Sequence, residues 1–110
     1  MQGNKEEKIL EEMRKFVAEY IQRESNYNSM ITVTHSHMSG DFKKATFFVT
    51  VLPETQENAA LDFLKRNRKN VKQLIKSKSK LSRLPQVDFE IDKGEKVRQR
   101  LDTISREIEE

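Results

Sequence analysis

Nine basic side chains and no acidic one lie between residues 64 and 84. The nine are Lys65, Arg66, Arg68, Lys69, Lys72, Lys76, Lys78, Lys80 and Arg83. Phosphate groups are bound by flexible cations spaced along a ridge, and arginine adds bidentate hydrogen bonds. The rest of the chain holds the remaining 12 of 21 basic residues together with all 18 acidic ones. The positive charge is therefore concentrated in one short stretch, which indicates a polyanionic partner.

If this stretch is helical, five of the nine cations fall on one side of the helix and the apolar residues fall on the opposite side. At about 100° per residue, one side carries Lys65, Arg68, Lys69, Lys72 and Lys76, and the opposite side carries Leu64, Val71, Leu74 and Ile75. A solvated helix face is the commoner origin of such a charge run. Nine cations without an intervening acid favour contact with RNA instead, and Arg68, Lys69 and Lys72 are the strongest candidates.

Two other groups of side chains could in principle do chemistry. His35 and His37 have the spacing of two metal ligands, but no third ligand is evident nearby. Asp88, Glu90 and Asp92 could bind Mg²⁺ or act as acid and base, although exposed carboxylates relieved by nearby lysines are far commoner. The chain contains no cysteine, and no catalytic triad or nucleotide-binding motif appears. We predict no metal site, no cofactor, no small-molecule substrate and no enzymatic activity.

Aromatic side chains are a further means of binding nucleic acid, because bases stack on them. The candidates are Phe42, Phe47, Phe48, Phe63 and Phe89. Placement on strands and helices assigns most of them to the core. Phe42, in a predicted turn, is the one most exposed to a partner.

Length and composition limit the possible classes of protein. A chain of 110 residues fits one domain, and it is 35% hydrophobic and 35% charged, which is polar for a globular protein. No apolar run approaches the roughly 20 residues of a membrane span, and the N-terminus lacks an apolar signal core. We predict a cytoplasmic protein that does not contact membranes, with a monomer as the simplest state.

Hydrophobic periodicity predicts the elements that position these residues. The predicted order is helix 5–23, strand 30–38, strand 43–52, helical region 55–82, strand 86–92 and helix 94–109. Asn4 and Glu7 are predicted to cap the first helix, and Pro85 to end the helical region. A straight helix of 28 residues would be about 42 Å long, too long for this domain, so we infer a bend near 67–70.

Alternation along the strands predicts which faces are buried. Ala45, Phe47, Val49 and Val51 share one face of the second strand, and Val87, Phe89 and Ile91 face the core from the third. Asp88, Glu90 and Asp92 are expected on its exposed face. The result is an α+β domain of order α-β-β-α-α-β-α, with helices packed on a three-stranded sheet.

This order of elements resembles a type II KH domain, and particular segments narrow the resemblance. Ile-Thr-Val-Thr at 31–34 and the segment 38–53 resemble the central signature of ribosome-binding factor A. In that family a strand is followed by Ser-x-Asp-Leu-x-x-Ala and an aromatic-rich second strand. The segments 21–24 and 84–92 are similar to the family's first-helix ending and last strand. The resemblance runs from about residue 5 to about residue 92.

The resemblance implies a single KH-like domain over 1–110 that binds free small ribosomal subunits and assists late processing of their RNA, often during cold adaptation. It also implies that the bend of the helix pair lies near phosphates. The family usually bends this pair at Ala-x-Gly, where the present chain has Asn67, Arg68 and Lys69.

The basic stretch is also compatible with two other kinds of binding protein. A DNA-binding or nucleoid-type protein would use the same helix on duplex DNA. A protein-interaction domain would present the same helix to an acidic protein. Competition between duplex DNA and small subunits distinguishes a DNA-binding protein from a ribosome-binding one. Capture of a partner that is insensitive to nuclease would favour a protein-interaction domain.

Overall fold

The fold was analysed in a computed structural model, which describes residues 5–25, 28–81 and 83–94. Its elements are α1 (Lys5–Glu24), β1 (Met30–Met38), β2 (Lys44–Leu52), a short 3-10 turn (Glu54–Gln56), α2 (Glu57–Arg66), α3 (Arg68–Lys78) and β3 (Gln86–Ile91). The predicted order is confirmed as far as β3. Beyond Gly94 the predicted last helix lies outside the described residues, as does Asn4 of the predicted capping box.

The sheet has the strand order β1-β2-β3, with β1 antiparallel to β2 and β3 parallel to β2. An antiparallel pair can be joined by a tight turn, whereas a parallel pair needs a long crossover, here the helix pair α2–α3. The predicted α+β, KH-like arrangement is therefore confirmed. Within the described part of the chain, no helix is long and apolar enough to cross a membrane.

The core lies between one face of this sheet and the three helices. Phe47 and Phe89 are fully buried at its centre, with ring centroids 6.2 Å apart. The predicted inward face of β2 is confirmed, since its four members are at most 2% exposed. Helix α1 contributes Leu10, Met13, Val17, Tyr20 and Ile21, and the helix pair contributes Ala60, Leu64, Val71 and Ile75.

The predicted bend in the helical region is confirmed at a single residue, Asn67, between α2 and α3. Its backbone has φ −101° and ψ 11°, a conformation that needs no glycine. The Asn67 side chain is fixed on both sides, because its Nδ2 donates to the Phe63 carbonyl at 2.8 Å and its Oδ1 accepts from the Tyr20 hydroxyl at 2.6 Å. A hydrogen bond to α1 thus stabilises the bend at the position where the resemblance implied Ala-x-Gly.

The end of the helical region was predicted wrongly. Helix α3 ends at Lys78, because Ser79 adopts an extended backbone with φ −102° and ψ 165°. The Ser79 hydroxyl then accepts the backbone N–H of Leu81 at 3.3 Å, and Leu81 packs against the core. Pro85 therefore follows a loop and does not end the helix, and Lys80 and Arg83 lie outside any helix.

Candidate nucleic-acid interface

Six basic side chains line one cleft, of about 600 Å³, at the edge of the sheet where β3 begins. The cleft is lined by Lys44, Lys65, Arg66, Arg68, Lys69, Lys72, Gln86, Val87 and Asp88. Five of the six cations belong to the predicted basic run and come from α2 and α3. The sixth, Lys44, comes from β2 and was missed by the sequence analysis.

Parallel pairing of β2 with β3 brings Lys44 into the cleft. Lys44 pairs in register with Gln86, whose backbone N–H donates to the Lys43 carbonyl at 2.8 Å. The sequence does hold a weak signal, because Lys43 and Lys44 are the only basic residues between 25 and 63. Nothing local in the sequence says that this pair meets a helix more than 20 residues away.

A single carboxylate lies under the cations. Asp88 Oδ1 is 3.1 Å from Lys65 Nζ and 3.3 Å from Arg68 Nη1, and its Oδ2 is 3.2 Å from Lys44 Nζ. Asp88 is only 8% exposed, so its predicted place on an exposed strand face is wrong. Long side chains from β2 and from the α2–α3 bend cover this carboxylate, whereas Glu90 further along β3 is exposed.

The surroundings of Asp88 keep it ionised. Burial disfavours the charged form, but the Phe89 backbone N–H and the ammonium groups of Lys65 and Lys44 outweigh that effect and lower the pKa of the Asp88 carboxyl. Three of the six cations therefore share one negative charge. The cleft keeps a net positive charge while its cations are held in place.

This lowered pKa predicts a pH-dependent stability. Because the folded pKa lies below the unfolded one, the unfolded chain takes up a proton first as pH falls, and stability is lost below about pH 4. We expect Asp88→Asn to be less stable than wild type at neutral pH, with the difference closing in acid. Urea unfolding at about pH 7, 5 and 3 measures this. A difference independent of pH would contradict the ion-pair assignment.

The remaining four members of the basic run do not line this cleft. Lys78 pairs with Glu19 of α1 at 3.1 Å, and with Lys80 it borders a separate groove beside the start of α1. Lys76 and Arg83 are exposed elsewhere on the surface. The predicted nine-residue site is thus divided, and only its first five members line the cleft that contains Asp88.

Helix α3 begins at the cleft. Its first residues, Arg68 and Lys69, line the cleft, and no side chain caps the start of the helix. The first N–H groups of a helix lack intrahelical acceptors and attract anions. Cationic side chains thus line a cleft at the start of α3, which suits an anionic oxygen-rich ligand such as phosphate.

The other candidate residues lie away from the cleft. His35 and His37 are exposed on β1, with the His35 ring 5.6 Å from that of Phe48. Asp92 accepts a hydrogen bond from the Thr34 hydroxyl. Over residues 5–25, 28–81 and 83–94, no three His, Cys, Asp or Glu side chains are grouped to hold a metal ion. Among the five phenylalanines considered, Phe42 alone is exposed, at 41%.

Comparison with known proteins identifies the family. The sequence model of the family "Ribosome-binding factor A" matches residues 5–105. The chain belongs to the ribosome-binding factor A family. A ribosome-binding factor A from Macrococcus caseolyticus is 30% identical over 108 residues, which cover 92% of this chain and 95% of that protein.

Two structures of ribosome-binding factor A from Thermus thermophilus share the fold. The crystal structure superposes with a TM-score of 0.67, at 23% identity, over 76% of this chain and 90% of that one. A homology model fitted into the cryo-EM map of a 30S–RbfA complex gives a TM-score of 0.65, with the same identity and coverage. Members of the ribosome-binding factor A family this distant share the arrangement of helices and sheet that builds the cleft.

Proposed function

We propose that this protein is an assembly factor that binds free small ribosomal subunits and assists late processing of their RNA. The observation that carries the proposal is the convergence of six cations on one cleft that holds a single carboxylate. RNA phosphates suit this cleft because they replace water around several cations at once and release counterions. Family membership supports the ribosome as partner, and the relative from Thermus thermophilus was fitted into a 30S complex.

The proposed contact is made by the helix pair and the adjoining end of β2. Lys69 and Lys72 supply cations that are not engaged by Asp88, and Lys65, Arg68 and Lys44 exchange part of their interaction with Asp88 for phosphate oxygens. The exposed cations outside the cleft add a weaker, longer-range attraction. Such binding positions the protein on structured RNA by shape and charge.

Several finer properties follow from the same proposal. The protein acts without a cofactor and without catalytic turnover, as a monomer of one domain over 1–110, in the cytoplasm where small subunits mature. Its contribution is largest under cold adaptation, when RNA misfolding is slow to reverse.

Gradient co-sedimentation tests the proposal. Purified protein is centrifuged with isolated small subunits, isolated large subunits and joined ribosomes, at low and high salt. We expect selective travel with free small subunits, with a log–log salt slope of about 0.7–0.9 per phosphate neutralised. Binding that ignores salt would exclude the phosphate contact. Equal competition by duplex DNA would favour a DNA-binding protein, and nuclease-resistant capture of an acidic protein would favour a protein-interaction domain.

A further inference from the structure

The turn between β1 and β2 is held by its own side chains. Asp41 Oδ1 accepts from the Ser39 hydroxyl at 2.7 Å and from the Lys43 backbone N–H at 3.1 Å. Ser39 Oγ in turn accepts the backbone N–H of Lys44 at 3.0 Å, and the Ser39 N–H donates to the Lys44 carbonyl at 2.8 Å. The residue between Asp41 and Lys43, Phe42, is therefore presented on a closed, internally bonded loop.

Phe42 is an unusual residue for the backbone conformation that it adopts. Its φ is 62°, in the left-handed region that residues with bulky side chains rarely adopt because the conformation is strained. Its side chain is 41% exposed and does not belong to the hydrophobic core. Core packing therefore does not compensate the cost of this conformation. Strained residues of this kind concentrate at ligand-binding sites.

The position of the turn places Phe42 beside the basic cleft. Lys44 follows two residues later, so the two Cα atoms are within about 7 Å. Lys44 lines the cleft and pairs with Asp88, and Gln86 at the start of β3 is hydrogen-bonded to Lys43. The exposed ring of Phe42 thus belongs to a turn that adjoins the basic cleft through Lys44, and it is not itself part of the cleft lining.

We propose that Phe42 stacks on an unpaired nucleobase of RNA whose adjoining phosphates lie in the basic cleft. The inference rests on the proposed function and deepens it by naming the class of RNA that the cleft takes. A phosphate-binding cleft alone accepts any RNA helix, whereas stacking needs a base free of its pair. The protein is therefore expected to bind preferentially where a bulge or a single strand of RNA adjoins an RNA helix. A protein surface is the less suitable partner for this ring, because Lys43 and Lys44 flank it.

Two RNA hairpins of equal length test the preference, one with a single bulged adenine and one fully paired. We expect tighter binding to the bulged hairpin, and about tenfold weaker binding to it by Phe42→Ala and by Phe42→Leu. Phe42→Tyr keeps the ring and should keep the preference. Phe42→Gly removes the ring and relieves the strained φ, so it should lose the preference while remaining at least as stable as wild type.

A spectroscopic readout is available because the chain contains no tryptophan. Phe42→Trp introduces a single indole at the turn, and stacking on a base should quench its emission with the bulged hairpin and not with the paired one. Unquenched emission together with unchanged affinity of Phe42→Ala would overturn the stacking while leaving phosphate binding intact. Failure of wild type to bind either hairpin or the small subunit would overturn the proposed function as well. Loss of binding by Phe42→Ala to whole subunits, with both hairpins bound normally, would assign the ring to a protein contact and overturn the proposal.

Discussion

Reversing the charges of Lys69 and Lys72 together is expected to weaken binding to small subunits by about 10–100-fold near 0.1 M salt. Both side chains line the cleft, and no ion pair in the described part of the chain involves them. Their replacement by glutamate removes two phosphate contacts and introduces repulsion. Co-sedimentation across a salt series should also show a log–log slope reduced by about 1.4–1.8, because each of the two contacts contributes roughly 0.7–0.9.

A matched variant distinguishes the contribution of the cleft to binding from that of the overall net charge. Lys78→Glu with Lys80→Glu changes the formal charge by the same four units, from +3 to −1, but these residues border the groove beside α1. The exposed Lys78–Glu19 pair that is lost contributes little to stability. We expect this variant to lose several-fold less affinity than the cleft variant. Equal losses would mean that overall charge, and not the cleft, determines binding.

Truncation of Phe47 is expected to have the largest effect on stability. The side chain is fully buried, and its ring contacts that of Phe89 across β2 and β3. Phe47→Ala removes this packing and leaves a cavity, which costs about 3–5 kcal/mol. Since a small domain is stable by only about 5–15 kcal/mol, we expect the melting temperature to fall by more than about 12 °C. Thermal unfolding followed by circular dichroism measures the melting temperature, and urea unfolding measures the loss of stability.

The neighbouring residue provides the control. Phe48 lies on the opposite face of β2, half-buried, with its ring 5.6 Å from that of His35. Phe48→Ala should cost about 1 kcal/mol, as ordinary substitutions do. Similar losses at the two positions would show that the inward and outward faces of β2 are not distinguished as the structure describes.

Local sequence pattern was sufficient for the order of elements as far as β3 and for most of their boundaries. Alternation along β2 identified its buried face, and the 3.6-residue period identified the inward stripes of the helices. These patterns can be recognised in the sequence because side chains point to one face every 3.6 residues in a helix and every second residue in a strand. The boundary that failed, at Lys78, depends on Ser79 and on Leu81 packing against the core, which periodicity does not report.

The position of the bend between α2 and α3 was predictable from the sequence, but the contact that stabilises it was not. Chain length required a break near 67–70, and Asn67 provides it. Its support comes from the Tyr20 hydroxyl, 47 positions away in the chain. Such a contact is invisible to any window along the sequence, because it depends on how α1 packs against the helix pair.

For the candidate site, sequence alone determined that a dense cationic run exists, that it lies mostly on helices and that the chain resembles ribosome-binding factor A. Tertiary structure decided which cations act together. Lys78 and Lys80 lie outside the cleft, whereas Lys44 lines it. Asp88, which was expected on the surface, is a buried carboxylate that pairs with three cations. The physical reason is that parallel pairing of β2 with β3 joins segments about 40 residues apart, and charge acts through space and not along the chain.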